Sequence, residues 1–374
     1  MGLACAVVVA QFRRQIGSVV MKKLLLVLLF AITNFLLMAS VLAAPLRLSD
    51  MADILPEWPV VASEAGGRFI LSDSPEDVER EGILYQDKVK GEVRLFFHHV
   101  NVMSERKRIV VMLFNSGSVP AKVEVLRYGV SGPDLDYLRA GRAIQGDYLR
   151  ADKQYKIDLA PGKSALLPAG KSFPALPPQM ILTGMIDFRT DQEVMLVVAA
   201  IPEQGDPASL VSLYDVVPVA RWKPHLRGSF AHGDRLLIGK RPYDPVVDGA
   251  VAITIGDGEI DTFLEGRDVT DGKAVRNQGN YGILYRILIP TTGKGRVRCY
   301  LNPRGGVYAG WVAVKTKLEH RVVGTPSKTL SFGADTLADF ELISEFAAGE
   351  SLWVTMSPPG ASNLPVRLML VPAP

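Results

Sequence analysis

Behind a polar, proline-containing lead-in around Leu55-Pro56-Glu57-Trp58-Pro59, short apolar or alternating runs rich in Val, Ile, Leu and Tyr recur along the chain. Gly, Pro, Asn and Asp separate them, which is the signature of strands joined by turns. The pattern predicts strands at residues 93–100, 108–114, 121–128, 164–167, 180–188, 194–201, 250–255, 282–289, 296–301, 307–314, 351–356 and 366–371. Helical signals are few. Ser74-Pro75-Glu76-Asp77 offers an N-cap, a proline at the first helical position and early acids. Residues 134–143, opened by Pro133, place Leu135, Leu138 and Ile144 on one side. Many short strands with regular turns indicate an all-β class, two tandem β-sandwich domains (immunoglobulin-like or jelly-roll-like) with one or two short helices.

The pattern breaks at Val217-Pro218-Val219-Ala220-Arg221-Trp222-Lys223-Pro224, which sets the expected boundary between an N-terminal sandwich, residues 65–221, and a C-terminal one, residues 222–374. The halves echo one another. Gly82-Ile83-Leu84-Tyr85 followed by Lys90-Gly91-Glu92-Val93 parallels Gly282-Ile283-Leu284-Tyr285 followed by Lys294-Gly295-Arg296-Val297. Phe188 with residues 194–198 matches Phe346 with residues 352–356 at equal spacing. A duplication explains the echo, and so does chance agreement among similar strands. The segment VVMLFNSGSVPAKVEV, residues 110–125, resembles the strand–turn–strand unit common in immunoglobulin-like sandwiches and speaks to fold class alone.

One long apolar run departs from this pattern. Met21-Lys22-Lys23 precedes LLLVLLFAITNFLLMASVLA, a positive head before an apolar stretch ending in small residues, as in a secretory signal peptide. Val41 and Ala43 occupy the small-residue positions, so cleavage after Ala43 is expected, with Met21 as the true start, residues 1–43 as presequence and 44–64 as lead-in. The run is also long enough to span a bilayer, so an uncleaved anchor is the competing reading and the only membrane attachment expected.

Export changes how the charge is read. Of 42 basic residues, cleavage removes Arg13, Arg14, Lys22 and Lys23 and no acid, leaving 38 against 39 acidic ones. A near-neutral chain gives no argument for a nucleic-acid partner. Of the two cysteines, Cys5 lies in the presequence, so Cys299 has no intramolecular partner and stability must come from burial.

The search for chemistry gives mostly exclusions. His98, His99, His225, His232 and His320 form no His-x-His pair and no His-Glu-x-x-His helix, and His98 and His99, adjacent in a strand, point to opposite faces, one expected exposed and the other partly buried. No Gly-x-Ser-x-Gly elbow, phosphate loop or dinucleotide fingerprint is present, and Cys299, alternating within a strand, reads as a core thiol. Carboxylates gather at Asp244, Asp248, Asp257, Glu259, Asp261, Glu265, Asp268 and Asp271. Acidic turn residues in water account for them. Alternatively Asp257, Asp261, Asp268 and Asp271 supply hard oxygen ligands for Ca²⁺, or a separated pair hydrolyses glycosides.

Two irregular segments, Asn302-Pro303-Arg304-Gly305-Gly306-Val307-Tyr308 and residues 357–365, each follow a predicted strand. Asn302, Arg304, Tyr308, Trp311 and Asn363 offer ring faces and planar hydrogen-bonding groups that suit sugars or peptides. The expectation is that both loops meet at one end of the second sandwich as a recognition surface. Tight turns beside core aromatics are the alternative.

The segments GILYQDKVKGEVRLFFHHVN, RYGVSGPDLDYLRAGRAIQGDYL, GNYGILYRILIPTTGKGRVRCYLNPRGGVYAG and ESLWVTMSPPGASNLPV together resemble secreted bacterial proteins labelled copper amine oxidase N-terminal-domain-containing, over residues 65–374. The resemblance implies an exported envelope protein, named for a stalk-like module whose role is attachment. It does not carry the oxidase activity, which needs a cofactor-forming tyrosine in a Thr-x-x-Asn-Tyr setting and three histidine copper ligands. Asn280-Tyr281 matches the last two residues, but Asn277 replaces the threonine and Gly282 the following acid. The sequence thus points to an exported, envelope-associated, non-catalytic binding or structural protein with a cell-wall glycan or envelope protein as partner. The competing reading is a secreted glycan-acting hydrolase using carboxylates.

Overall fold

A computed structural model of the chain describes residues 54–150, 154–168, 173–334 and 339–373. The expected presequence, residues 1–43, and its expected cleavage site lie outside the described residues. The first half holds strands β1 (Val60–Ala65), β2 (Arg68–Ser72), β3 (Asp77–Val78), β4 (Gly82–Asn101), β5 (Lys107–Phe114) and β6 (Ala121–Asp134), then helix α1 (Tyr137–Arg150). It continues with β7 (Tyr155–Leu159), β8 (Ser164–Leu167), β9 (Ile181–Pro202) and the one-turn α2 (Pro207–Val211). Then come β10 (Arg227–Phe230), β11 (Asp234–Gly239), α3 (Pro245–Asp248), β12 (Val251–Ile255), β13 (Glu265–Arg267), β14 (Ala274–Arg276) and β15 (Leu284–Ile289). The chain ends with β16 (Arg296–Pro303), β17 (Gly310–Lys315), β18 (His320–Thr325), β19 (Glu341–Ala347), β20 (Leu352–Met356) and β21 (Val366–Ala373). The fold is all-β with few helices, as the turn-punctuated pattern predicts.

The largest sheet runs β14-β13-β10-β2-β4-β9-β5-β8, with β3 added to β4, β6 to β9 and β7 to β6. Its spine is the antiparallel pair β4 and β9, in register from Gly82↔Ala200 to Val100↔Ile181 with shifts near Ile83 and Val89. The pattern predicts two strands at 180–188 and 194–201. They are one, because the polar Arg189 and Thr190 between them still pair with Glu92 and Gly91, while β9 exchanges β6 for β5 on its other edge.

Alternation along this spine sends apolar residues to both faces. Ile70, Leu95, Phe97 and Ile186 enter one core, and Phe69, Leu71, Phe96 and Met185 enter the other. A strand buried on both faces reads as a continuous apolar run, which is what RFILS and RLFF are. Burying each such large side chain contributes about 1.5–3 kcal/mol.

Across the second core lie two further sheets, β1-β11-β15-β20-β17-β18 and β12-β21-β16-β19. The first presents Ile287, Ile289, Val354 and Met356 and the second Ile253, Ile255, Val297 and Leu368, all in one cluster, as in a sandwich. Within the first of them β11 and β15 are parallel.

Strand pairing does not divide at the expected 221/222 boundary. β1 pairs with β11 and β2 with β10, and α1 packs against β17, so residues Ala52–Pro374 form one compact unit. The doubly buried β2–β4–β9 wall is the reason, since its second face shares one core with the later strands as well as with Ile144 and Tyr148 of α1. The internal echo does extend to pairing. Tyr85 sits opposite Val198 and Tyr285 opposite Met356, while Val93 sits opposite Phe188 and Val297 opposite Phe346. Each couple joins residues that the sequence parallel equates.

Two helical expectations change. Ser74–Asp77 forms no helix: the Ser74 hydroxyl donates to Pro224 O (2.9 Å) and accepts from Leu226 N (2.8 Å), and Asp77–Val78 adds a parallel strand to β4. The second helix runs on to Arg150 because Ala140, Ile144 and Tyr148 keep a buried stripe at four-residue spacing. Two glycines inside it answer to close approach. A Cβ at Gly141 would lie 2.0 Å from Gly360 O, and one at Gly146 2.8 Å from Trp311 Nε1. The short α2 and α3, which the reading missed, each start at an Asp-Pro pair, Asp206-Pro207 and Asp244-Pro245, with the aspartate as N-cap.

Candidate functional site

The segment after β2 and the segment leading into β10 run side by side. Asp73 N–H donates to Leu226 O at 3.0 Å and Ser74 ties both segments together, so the two irregular stretches are held by backbone as well as side chains. Between them lies an open groove of about 600 Å³, walled by Pro75, Val217, Pro218, Val219, Pro224 and Leu226. At its rim the Lys223 ammonium reaches Asp77 (3.4 Å) and Glu79 (3.2 Å), and the Trp222 side chain is 86% exposed. Exposed pairs of this kind contribute about 0–1 kcal/mol, so they shape the rim more than they stabilise it.

Asp73 lines the groove, and its Oδ1 is buried without a hydrogen-bond partner among the described residues. Burial, with the charge of nearby Glu76, pushes the Asp73 carboxyl well above the usual carboxylate range. Glu76 is exposed at its surface, yet partial desolvation and the charge of Asp77 raise it as well, against the pull of Lys223. Burial and the charges of Asp73 and Glu76 push the Tyr281 phenol up to about 12. An unsatisfied carboxyl oxygen in an open groove is unusual, because a buried polar atom without a partner costs about 1–3 kcal/mol. The sequence reading took residues 217–224 only as a boundary. The available signal was a tryptophan and a lysine set among prolines.

The four aspartates proposed for Ca²⁺ do not all converge. Asp257 accepts backbone N–H groups of Glu259, Ile260 and Asp261, closing a turn. Asp261 is buried against Arg235 (2.8 Å) and takes hydrogen bonds from Tyr285 Oη (2.5 Å) and Gly256 N (2.7 Å). Asp268 and Asp271 instead gather around His225, whose Nε2 lies 2.8 Å and 4.0 Å from their carboxylates. Asp268 also binds Arg227 Nε at 2.8 Å and the Thr270 hydroxyl at 2.6 Å. Burial raises the Asp268 carboxyl, but Thr270, Arg227 and His225 outweigh it and hold the group below its ordinary value. A guanidinium already neutralises the central carboxylate, which leaves little demand for a cation.

The loop pair assembles as expected but faces inward. Arg304 N and Gly305 N donate to Pro365 O, Asn363 N donates to Val307 O, and Ala309 N donates to Ser362 Oγ. Asn302 and Tyr308 are fully buried, and burial pushes the Tyr308 phenol up. Trp311 is half-buried between the guanidinium groups of Arg142 and Arg150, 5.2 and 3.9 Å from its ring centre. Arg304 and Gly306 are half-buried, and of the five proposed ligand-binding residues Asn363 alone is exposed. The five therefore do not make a shared open face. α1 covers the loops, and its glycines let Gly360 and Trp311 approach.

The remaining reactive side chains are interior. His99 Nδ1–H donates to Pro75 O (2.9 Å) while its Nε2 accepts from Ser72 Oγ (3.0 Å). His98 Nδ1 bonds Thr183 Oγ1 (3.0 Å), and its ring stacks on Phe96. The two rings lie on opposite faces of β4, as alternation predicts, but both are buried and neither is exposed, because both faces of the strand are covered. Cys299 is buried in β16, and burial pushes its thiol up, away from the thiolate a nucleophile needs. A second, polar recess of about 320 Å³ surrounds Arg94, which pairs with Asp187 and Asp234 at 2.8 Å each.

No family model and no curated protein matches the chain. Among solved structures it aligns with vicilin from Solanum lycopersicum (tomato) at 9% identity and a TM-score of 0.11, covering 80% of this chain and 84% of that one. It aligns with oxalate decarboxylase from Bacillus subtilis at 10% identity and a TM-score of 0.12, covering 82% and 76%. Likeness at that level carries no argument about function. No helix among the described residues is long and apolar enough to cross a membrane.

Proposed function

We propose that this chain is an exported, envelope-associated binding or structural protein, related to the secreted proteins it resembles in sequence, and that the groove beside Trp222 is its recognition surface. The observation that carries the reading is an open, largely apolar groove of about 600 Å³ whose rim displays a tryptophan at 86% exposure. An apolar recess with a few convergent polar groups is the usual form of a ligand site, and a flat exposed ring suits a sugar face or a peptide side chain. The partner is a cell-wall glycan or an envelope protein.

The test compares the processed wild-type protein with Trp222→Ala on a glycan array and in pull-downs from envelope fractions. The groove reading expects a partner retained by the wild type and lost by the variant at unchanged melting temperature. Equal retention by both proteins refutes it. Export itself expects a mature N-terminus at Ala44 on protein recovered outside the cytoplasm, and intact presequence on cytosolic protein refutes that part.

The glycan-hydrolase reading draws on one feature, two carboxyls, Asp73 and Glu76, both raised and both lining the groove. It expects reducing ends released from cell-wall glycan by the wild type and not by Asp73→Asn.

A further inference from the structure

We infer that the groove binds a primary alkylammonium group, with Asp73 as its counter-charge and Trp222 covering its alkyl stem. The inference rests on the groove reading above and names the ligand chemistry of that same site.

Three independent features converge. The first is the missing partner of Asp73 Oδ1, a buried carboxyl oxygen with no donor among the described residues although it lines an open cavity. A carboxyl group there needs N–H donors or a cation, and an ammonium supplies both. Burial and the charge of Glu76 push its carboxyl above the usual range, and a cation beside it favours the charged form.

The second is charge. Asp73, Glu76, Asp77 and Glu79 line the groove against Arg80 and Lys223, so acids exceed bases, and Lys223 is already engaged by Asp77 and Glu79. A cationic ligand is favoured and an anionic one opposed. The third is the wall. Pro75, Val217, Pro218, Val219 and Pro224 accept a methylene stem, while the Trp222 ring at the rim attracts a cation across its face. A guanidinium is planar and bidentate, whereas a single unsatisfied oxygen matches the compact ammonium better.

Such an ammonium comes from a lysine side chain of a partner protein or from a free polyamine, and the experiment separates them. Isothermal titration of the exported protein uses Nα-acetyl-lysine methylamide, 1,5-diaminopentane and, as the neutral control, the Nε-acetylated lysine amide. Wild type should bind at least one of the two amines and reject the control. Asp73→Asn should weaken binding tenfold or more, and Trp222→Ala about fivefold, a typical cation–π contribution. Melting temperature guards against misfolding: Trp222→Ala should leave it unchanged, and Asp73→Asn, which removes a penalised charge, should not lower it.

Selective binding of the lysine amide identifies a protein side chain as the source, and selective binding of the diamine a polyamine. Either supports the ammonium assignment. Equal binding of the neutral control, unchanged affinity in Asp73→Asn, or no binding of either amine overturns it. In the last case a partner still lost by Trp222→Ala in the pull-down keeps the groove as a binding site and removes only the ammonium.

Discussion

Acid should unfold this protein through the His98–His99 pair before most of its carboxylates titrate. Both rings are buried in β4, and burial holds them well below the ordinary 6.5, His98 at about 3 and His99 at about 4. A histidine with a depressed native pKa takes up its proton more readily when unfolded, so its stabilising effect is present above about 6.5 and is lost as the pH falls. Between pH 7 and pH 5 the unfolded chain gains about three-quarters of a proton at each ring and the native chain gains almost none. At about 1.4 kcal/mol per pH unit the loss comes to about 2 kcal/mol for each histidine and about 4 kcal/mol for both.

Raised carboxyls such as Asp73 act in the opposite direction, so the test is a difference between two proteins. His98→Phe keeps the stack on Phe96, and Thr183 Oγ1 still donates to Phe97 O, so no buried donor is orphaned. Chemical denaturation followed by far-ultraviolet circular dichroism at pH 7 and pH 5 should show the variant losing about 2 kcal/mol less than wild type. Identical pH dependence in the two proteins refutes the reasoning.

Four further outcomes follow from the packing. Arg227→Met should cost about 3–5 kcal/mol in chemical denaturation, because it strands the buried Asp268 carboxylate; a neutral result refutes it. Gly141→Ala should destabilise although alanine favours helix by about 1 kcal/mol, since its Cβ would meet the Gly360 carbonyl at 2.0 Å; a raised melting temperature overturns this. Tyr308→Ala should cost about 3 kcal/mol or more as a core truncation and Asn363→Ala less than about 0.5 kcal/mol, the reverse order contradicting the inward-facing loops. Moving from chelator to millimolar calcium should leave the melting temperature unchanged, because Arg227 and Arg235 already neutralise Asp268 and Asp261; a calcium-dependent rise refutes that.

Local pattern alone was enough for the class of the fold, since alternation and turn residues act over a few positions at a time. It placed strands such as β5, β8 and β21 almost to the residue and sent His98 and His99 to opposite faces. It also paralleled Tyr85 with Tyr285 and Val93 with Val297, and the cross-strand partners of each couple follow the same parallel. Short strands without a marked alternation, such as β10 and β13, gave no signal of their own, because their formation depends on an edge offered by a distant neighbour.

What only the tertiary structure decided concerns which faces meet. Burial on both sides of β2, β4 and β9 joins the halves that composition separates, since an apolar face must be covered by whatever strand lies nearest in space. The same non-local packing buried Asn302 and Tyr308 and gave Asp261 and Asp268 to Arg235 of β11 and Arg227 of β10. It also brought the stretch at Asp73 beside the stretch at Trp222, 149 residues later, and so made a groove from two segments that read separately as a helix start and a domain boundary. A one-dimensional pattern fixes the periodicity of a strand but carries no record of which distant surface will lie against it.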